Sequence, residues 1–320
     1  MEAAHFPSNR SNEEQILFFE NMNEKWPNFF FVGAGKASTS SIYSILTLHP
    51  GIFLPEVKEP CYFSDRLLRP EETQISKKKY LSLYKNSAPE QLAGDFSTRY
   101  FICSKAPKRI HTANPNAKIL IILRDPLARA YSDFLMLKTR RGLIKNNFID
   151  SVTEELKRLD ANIIEWPFLV LTSLYHRNIM NYLKIFDSKN VFITYTNTLK
   201  NHPAKFYDQI FDFLNVEKIN LDEEKLQKRQ NVHSEPRSTL IRDFYFNKIY
   251  KSKIRFLLPK NLQKRLNQQI KLKLFKPAEK QPMPEKIVPI LQPVLMRELV
   301  ELEKVLGPEV MQLCESWRDA

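Results

Sequence analysis

One apolar run, Ala117–Leu123, restricts the fold more than any other feature of this sequence. It is too short for an independent helix, and apolar residues occupy both of its alternating faces, which is typical of a strand buried in a parallel sheet. Asp125 and Pro126 follow, and they favour the N-cap and the first position of a helix. The next apolar residues recur on one helical face: Leu127, Ala130, Tyr131, Phe134 and Leu135. A buried strand that leads directly into a helix predicts an α/β fold.

The same alternation continues along the chain. Further strands are predicted at Asn28–Gly33, Gln91–Phe96 and Val191–Tyr195, and helices near residues 42–49, 172–186 and 206–214 and from about 284. Strands that alternate with helices imply right-handed crossovers and a sheet covered on both faces. We therefore expect a polar arm over residues 1–27, and over residues 28–320 one three-layer α/β domain with a central parallel sheet.

Composition excludes several classes of protein. Of the 320 residues, 43% are hydrophobic and 27% are charged, which is ordinary for a globular chain. Apolar runs stay far below the ~20 residues of a membrane span. The first residues lack the basic head and apolar stretch of a signal peptide. Three cysteines without paired spacing indicate reduced thiols, and neither a disulfide framework nor a zinc site, so we expect a cytoplasmic protein.

Positive charge is concentrated in one segment. Residues 242–280 hold twelve Lys or Arg and two acidic residues, which accounts for +10 of the net charge of +13. Two interpretations stay open: a solvated helical face, or a surface that recruits a polyanionic or lipid-linked acceptor or makes peripheral contact with a membrane. Aromatic residues alternate with these charges, but they equally suit an apolar helix underside, so we expect no nucleic-acid partner.

A loop rich in small residues follows the first predicted strand. Its residues are Gly33, Ala34, Gly35, Lys36, Ala37, Ser38, Thr39 and Ser40. Glycines let a ligand approach the backbone, and successive N–H groups at the start of a helix bind anions. Lysine adds a mobile positive charge. The loop differs from a nucleotidase P-loop, because position 30 is Phe30 where that pattern requires glycine. It predicts a phosphate-binding site at the carboxyl end of the strand.

Three segments together resemble the sulfotransferases that use 3′-phosphoadenosine 5′-phosphosulfate (PAPS), in particular the bacterial and glycosaminoglycan-type enzymes. Val32–Tyr43, with Leu48–Pro50 and Lys58–Phe63, is similar to the family's 5′-phosphosulfate loop. Ile121–Ser132 resembles its 3′-phosphate motif, and Asn231–Ser238 resembles a later segment that closes over the cofactor. The resemblance runs from about residue 28 to the C-terminus and implies the P-loop-NTPase-like sulfotransferase fold.

The resemblance also implies a division of roles. The donor would be PAPS and the product adenosine 3′,5′-bisphosphate (PAP), with no metal. Lys36 would supply positive charge to the leaving oxygen, and Glu59 would act as general base. Arg124, Ser132 and Arg237 would bind phosphate with the loop residues 33–40. Pro60 favours an extended backbone at Glu59.

Two positions depart from the family pattern. Ser38 stands where the family usually has glycine, so its backbone must tolerate the conformation that glycine allows. Phe96 stands where the family often has a second active-site lysine.

The expected reaction is sulfuryl transfer to a hydroxyl or amine of a small-molecule or carbohydrate acceptor. Two alternatives remain from the residues alone. One is a nucleotide kinase on a related fold, which would need magnesium. The other is a non-catalytic protein that binds PAPS or polyanions. The sequence names neither the acceptor nor the oligomeric state.

Overall fold

The computed structural model describes residues 24–65, 75–140, 142–222, 234–238, 275–277, 279 and 281–317. Predictions for arm residues 1–23, for 231–233 and for nearly all of the basic segment lie outside these residues. Internal contacts divide the chain into two compact units. The first takes in the described residues of 1–34, 42–123 and 177–226, and the second those of 35–41, 124–176 and 227–320.

A parallel sheet forms the centre of the first unit. Its strands are β1 (Phe29–Gly33), β2 (Ile52–Phe53), β3 (Leu92–Phe96), β4 (Lys118–Leu123) and β5 (Val191–Tyr195), in the spatial order β2-β3-β1-β4-β5. Every neighbouring pair is parallel. The register places Phe30 of β1 opposite Asp95 of β3 and Ile119 of β4. The parallel sheet predicted from the sequence is confirmed, and β2 is the strand that the sequence analysis missed.

Aromatic packing fixes the position of β1 in this sheet. All five residues of β1 are buried, so side chains on both of its faces are shielded from water. Phe31 stacks on Phe96 of β3 with ring centroids 4.6 Å apart, and Phe30 meets Phe63 edge-on at 5.7 Å. Each fully buried phenylalanine contributes about 1.5–3 kcal/mol. The phosphate loop therefore starts from a firmly packed strand.

Helices alternate with these strands along the chain. They are α1 (Thr39–Leu46), α2 (Lys77–Leu81), α3 (Ala106–Ala113), α4 (Pro126–Leu135), α5 (Phe148–Asp160), α6 (Tyr175–Leu183), α7 (Thr196–Asn201), α8 (Pro203–Leu214) and α9 (Val288–Leu306). The sequence predicts five of them, α1, α4, α6, α8 and α9. Short 3-10 turns cover Thr98–Ile102, Leu171–Ser173, Ser188–Asn190, Glu285–Ile287 and Pro308–Leu313, and a π-helical turn covers Met136–Arg140. The helix predicted over 172–186 is shorter at both ends, because Leu171–Ser173 form a 3-10 turn and α6 runs only from Tyr175 to Leu183.

The second unit is built on α4, α5 and α9. Asp125 caps α4 by accepting a hydrogen bond from the Ala128 amide at 2.9 Å, and Pro126 is its first residue, as predicted. α9 packs against α4. A two-stranded antiparallel hairpin pairs β6 (Ser234–Pro236) with β7 (Phe275–Pro277). In the described part of the chain, none of the helices is both long and apolar enough to cross a membrane.

Candidate active site

The first residues of the predicted phosphate loop are fixed by the sheet. A side chain at Gly33 would place its Cβ 2.6 Å from the Cβ of Phe101, so glycine is required here by packing. The Ala34 amide donates to the Ile122 carbonyl of β4 at 2.8 Å. The sequence analysis explained Gly33 by the close approach of a ligand to the backbone. The structure adds that a larger residue at this position would clash with Phe101.

The remaining loop residues turn back and start α1. Lys36 and Ser38 both adopt left-handed backbone conformations, with φ of 71° and 58°. Residues that alternate between left- and right-handed conformations point successive N–H groups towards one centre, which binds anions. The Ser38 carbonyl accepts from the Ser41 amide at 3.0 Å, within the first turn of the helix. Ser38 does adopt the conformation that the family's glycine would allow, as expected from the sequence.

Arg124 lies against this loop. Its Nη1 donates to the Lys36 carbonyl at 3.1 Å, and its own carbonyl accepts from the Tyr175 hydroxyl at 2.7 Å. Tyr175 is fully buried, and burial raises the pKa of its hydroxyl. The Lys36 ammonium contacts the Met136 sulfur at 3.5 Å. The structure thus brings together two segments, 36 and 124, that the sequence predicted as separate phosphate anchors.

The other two predicted phosphate anchors belong to the same unit as Lys36 and Arg124. Ser132 is half-buried on α4, one residue after the buried Tyr131. Arg237 is exposed and directly follows β6. Their roles stay predictions.

The predicted base, Glu59, lies in the first unit and is tightly held. Its carboxylate Oε2 accepts from the Thr98 amide at 2.8 Å, and the Thr98 hydroxyl lies 3.1 Å from Oε1. Its own amide donates to the Phe96 carbonyl at 3.0 Å. The expectation of an extended backbone at Glu59 is wrong, since its φ is 60°. These bonds to the end of β3 override the preference set by Pro60.

A buried polar cluster lies beside Glu59 at the end of β3. Asp95 is fully buried and accepts from the hydroxyls of Ser97 (2.5 Å), Tyr80 (2.6 Å) and Tyr100 (2.8 Å). Burial raises the pKa of Asp95 to about 6, against the opposing effect of these hydrogen bonds. Ser97 in turn accepts from the Cys61 amide at 3.0 Å. The cluster therefore connects β3 to the segment that carries Glu59.

The structure explains the departure at Phe96. Its ring is 2% exposed, stacks on Phe31 and meets the Tyr43 ring edge-on at 5.4 Å. The Lys58 ammonium lies 5.5 Å from the centre of that Tyr43 ring. Burial lowers the pKa of Lys58, and the neighbouring Glu59 acts in the opposite direction. Position 96 thus belongs to the core. The Lys58 ammonium lies against the Tyr43 ring, which packs on Phe96.

A second buried network, which the sequence analysis missed, orders the segment before α6. Glu155 of α5 accepts from the amides of Leu169 (2.7 Å) and Leu171 (2.9 Å). Arg129 of α4 donates through Nε to the Ser173 hydroxyl at 2.8 Å. Burial raises the pKa of Glu155 to about 7, while these amides and the Arg129 charge oppose the shift. The signal was available, because Glu155 falls on the same helical stripe as the buried residues Phe148 and Val152.

One open pocket lies within the second unit. Its volume is about 250 Å³, and its lining includes Lys145, Asn146, Glu154 and Trp166. An aromatic residue beside amide, acidic and basic residues makes a lining of mixed polarity that can hold a polar organic molecule.

Comparison with known proteins identifies what this chain is similar to. A family model described as "Sulfotransferase domain" matches residues 27–269. Heparan sulfate glucosamine 3-O-sulfotransferase 5 of Mus musculus is 26% identical over 217 residues, which cover 66% of this chain and 59% of that protein. Bifunctional heparan sulfate N-deacetylase/N-sulfotransferase 4 of Mus musculus is 25% identical over 223 residues, or 66% of this chain and 24% of that protein. The chain therefore matches about three-fifths or less of these relatives' lengths.

A solved structure agrees with the fold. The sulfotransferase from Alicyclobacillus acidocaldarius superposes with a TM-score of 0.64 at 21% identity, covering 90% of this chain and 99% of that one. At this identity the likeness concerns the arrangement of strands and helices. It confirms the fold class expected from the sequence.

Proposed function

This chain belongs to the sulfotransferase family, and from that premise we propose that it transfers the sulfuryl group of PAPS to a hydroxyl or amine of a carbohydrate acceptor. The observation that carries the proposal is the contact between Arg124 and the Lys36 carbonyl. It joins the segment that resembles the family's 3′-phosphate motif to the loop that resembles its 5′-phosphosulfate motif.

The donor side of the proposal rests on the second unit. The left-handed residues Lys36 and Ser38 shape an amide-lined loop at the start of α1, which suits the 5′-phosphosulfate. Arg124 offers a planar fork suited to the 3′-phosphate, with Ser132 and Arg237 as further ligands. Lys36 supplies positive charge to the oxygen that bridges sulfur and PAP as that bond breaks. We propose no metal in this step.

The acceptor side rests on Glu59. In an in-line displacement the acceptor oxygen or nitrogen attacks sulfur, and its proton passes to a base. We propose that the Glu59 carboxylate takes this proton. Its two contacts with Thr98 fix its orientation, which is what a general base requires.

The acceptor class is inferred from the relatives. One is named as a 3-O-sulfotransferase of heparan sulfate glucosamine and another as an N-sulfotransferase of heparan sulfate, which is a carbohydrate. The pocket beside Trp166 fits this class, because sugar rings stack on indole faces and bond to amide and carboxylate groups. Recruitment of polyanionic or lipid-linked acceptors by residues 242–280, and a cytoplasmic location, stay predictions.

A labelled-sulfate assay with matched variants tests the reaction. Purified protein is incubated with labelled PAPS and a panel of oligosaccharides, phenols, lipids and peptides. Glu59→Gln should lower turnover by roughly 10²–10⁴-fold, as expected for loss of a general base, and leave PAP affinity unchanged. The control Glu56→Gln alters an exposed carboxylate three residues away and should preserve turnover. Normal turnover by Glu59→Gln would show that the base lies elsewhere.

Ligand stabilisation separates the proposal from its rivals. PAP at ~100 times its dissociation constant should add ~2.7 kcal/mol to the free energy of unfolding without added metal. Stabilisation by ATP with magnesium, and none by PAP, would favour a nucleotide kinase. PAP binding without turnover on every acceptor would favour a non-catalytic binding protein.

A further inference from the structure

Side-chain hydroxyls hold the base-bearing segment, residues 59–65. The Cys61 amide donates to the Ser97 hydroxyl at 3.0 Å, and the Phe63 amide donates to the Tyr100 hydroxyl at 3.4 Å. A neighbouring strand would offer carbonyl oxygens, which only accept. A hydroxyl both donates and accepts, so these two contacts depend on where its proton points.

Asp95 fixes the direction of both protons. Its carboxylate accepts from the Ser97 hydroxyl at Oδ1 (2.5 Å) and from the Tyr100 hydroxyl at Oδ2 (2.8 Å). Each hydroxyl has one proton, and once Asp95 accepts that proton the oxygen presents its lone pairs to the amides of the base-bearing segment. All three residues are fully buried, which shields these bonds from competing water.

The base-bearing segment needs this support because its backbone is strained. Glu59 and Cys61 have φ values of 60° and 52°. Left-handed conformations are unfavourable for residues with a Cβ and persist where surrounding bonds impose them. The bond to Ser97 falls on Cys61, two residues after the carboxylate that is proposed to take the proton. Loss of that bond would let the segment relax and displace the Glu59 carboxylate.

We propose that Asp95 is a positioning residue for the general base: through the hydroxyls of Ser97 and Tyr100 it holds the segment that presents Glu59. The inference rests on the proposed function, in which Glu59 takes the acceptor proton. It predicts that loss of this support slows the chemical step and leaves PAP binding unchanged, because the proposed phosphate anchors belong to the other unit.

Two tyrosines give a matched test of this role. Tyr100 and Tyr80 are both fully buried, and both donate to Oδ2 of Asp95. In the described chain, the Tyr80 hydroxyl makes no hydrogen bond to residues 59–65. Tyr100→Phe should lower turnover in the labelled-sulfate assay about tenfold and leave PAP affinity unchanged, whereas Tyr80→Phe should keep turnover within about twofold of the wild type. Equal losses of turnover would overturn the inference, because they would reflect a weakened core alone.

A serine pair tests the shorter of the two contacts. Ser97→Ala should lower turnover roughly 10- to 100-fold, the range expected when a reacting group is displaced by up to ~1 Å. The control Ser87→Ala removes another buried hydroxyl of the same unit, one that donates to the Tyr84 carbonyl, and should preserve turnover. Added to Glu59→Gln, Ser97→Ala should cause no further loss, because its effect passes through Glu59. A further loss as large as in the wild type would contradict the positioning role.

Hydrogen exchange measures the same support without turnover. In Asp95→Asn one carboxylate oxygen becomes an NH₂ group, so the side chain can no longer accept from both hydroxyls. We expect amides of residues 59–65 to exchange at least about tenfold faster in Asp95→Asn and in Ser97→Ala, with wild-type rates in α4 of the other unit. Ser87→Ala should leave the rates of residues 59–65 unchanged. Wild-type rates for these residues in Ser97→Ala would overturn the inference even if Asp95→Asn does not fold.

The inference and the proposed function fail in different ways. Normal turnover by Glu59→Gln would remove the proposed base, and this inference with it. Slow turnover by Glu59→Gln, together with wild-type turnover by Ser97→Ala and Tyr100→Phe, would overturn the positioning role and leave the proposed function intact.

Discussion

At the scale of single residues, Ser38 shows a conflict between side chain and backbone. Its φ of 58° lies in the region that favours glycine. A left-handed conformation costs an ordinary L-residue about 1–2 kcal/mol. The serine is exposed, so no packing of its side chain in the core offsets that cost.

Glycine at this position should therefore stabilise the protein. We expect Ser38→Gly to raise the free energy of unfolding by about 1 kcal/mol, measured from the midpoint of urea unfolding. The control Ser44→Gly lies inside α1, where glycine lowers stability by about 0.5 kcal/mol. We therefore expect Ser38→Gly to raise the free energy of unfolding and Ser44→Gly to lower it. A loss of stability in both variants would show that the Ser38 backbone is not strained.

Residue-scale predictions from the sequence succeeded where the cause is local and failed where it is not. Asp125 and Pro126 start α4 because capping depends on neighbours within four residues. The left-handed backbone of Glu59 could not be predicted, because its cause is pairing with Phe96 and Thr98, almost forty residues away. The hydroxyl cluster around Asp95 depends on the same kind of distant pairing.

At the scale of elements, periodicity identified the four longer strands of the parallel sheet and five of the described helices, but not the other elements. The apolar run of β4 admits only a buried strand, and the structure confirms it. β2 spans two residues, which is too short for any pattern to reveal. The sequence analysis did not predict α5. Its Glu155 lies on the same stripe as the buried Phe148 and Val152, and the partners of Glu155, the amides of Leu169 and Leu171, come from a separate segment.

The Glu155 network gives a prediction for this element. Glu155→Ala leaves the buried amides of Leu169 and Leu171 without their acceptor, so we expect the free energy of unfolding to fall by about 3 kcal/mol. The neighbouring Glu154 is exposed, and Glu154→Ala should change the free energy of unfolding by less than about 0.5 kcal/mol. Thermal or urea unfolding of both variants measures the difference. Equal losses would mean that the hydrogen bonds of Glu155 contribute nothing specific.

For the whole molecule, pH should control stability through two buried carboxyl groups. The pKa of Asp95 is raised to about 6 and that of Glu155 to about 7, while both are near 4 in an unfolded chain. Between pH 4 and 7 the folded protein therefore binds more protons than the unfolded chain. It follows that the free energy of unfolding falls as pH rises through this window. Each group's contribution is complete below pH 4 and lost above its folded-state pKa.

Variants isolate this effect from every other titrating group, because they are compared with the wild type at each pH. Asp95→Asn removes the first group and should flatten the fall between pH 4 and 6, by at most about 1.4 kcal/mol per pH unit. Glu155→Gln should flatten the fall in the free energy of unfolding up to about pH 7. The slopes of the two variants should therefore differ most between pH 6 and 7. Urea unfolding at half-unit steps from pH 4.5 to 7.5 gives the curves. Curves that run parallel to the wild type would show that the two carboxyl groups titrate alike in the folded and unfolded chain, and that burial at the end of β3 and on α5 leaves their protonation unchanged.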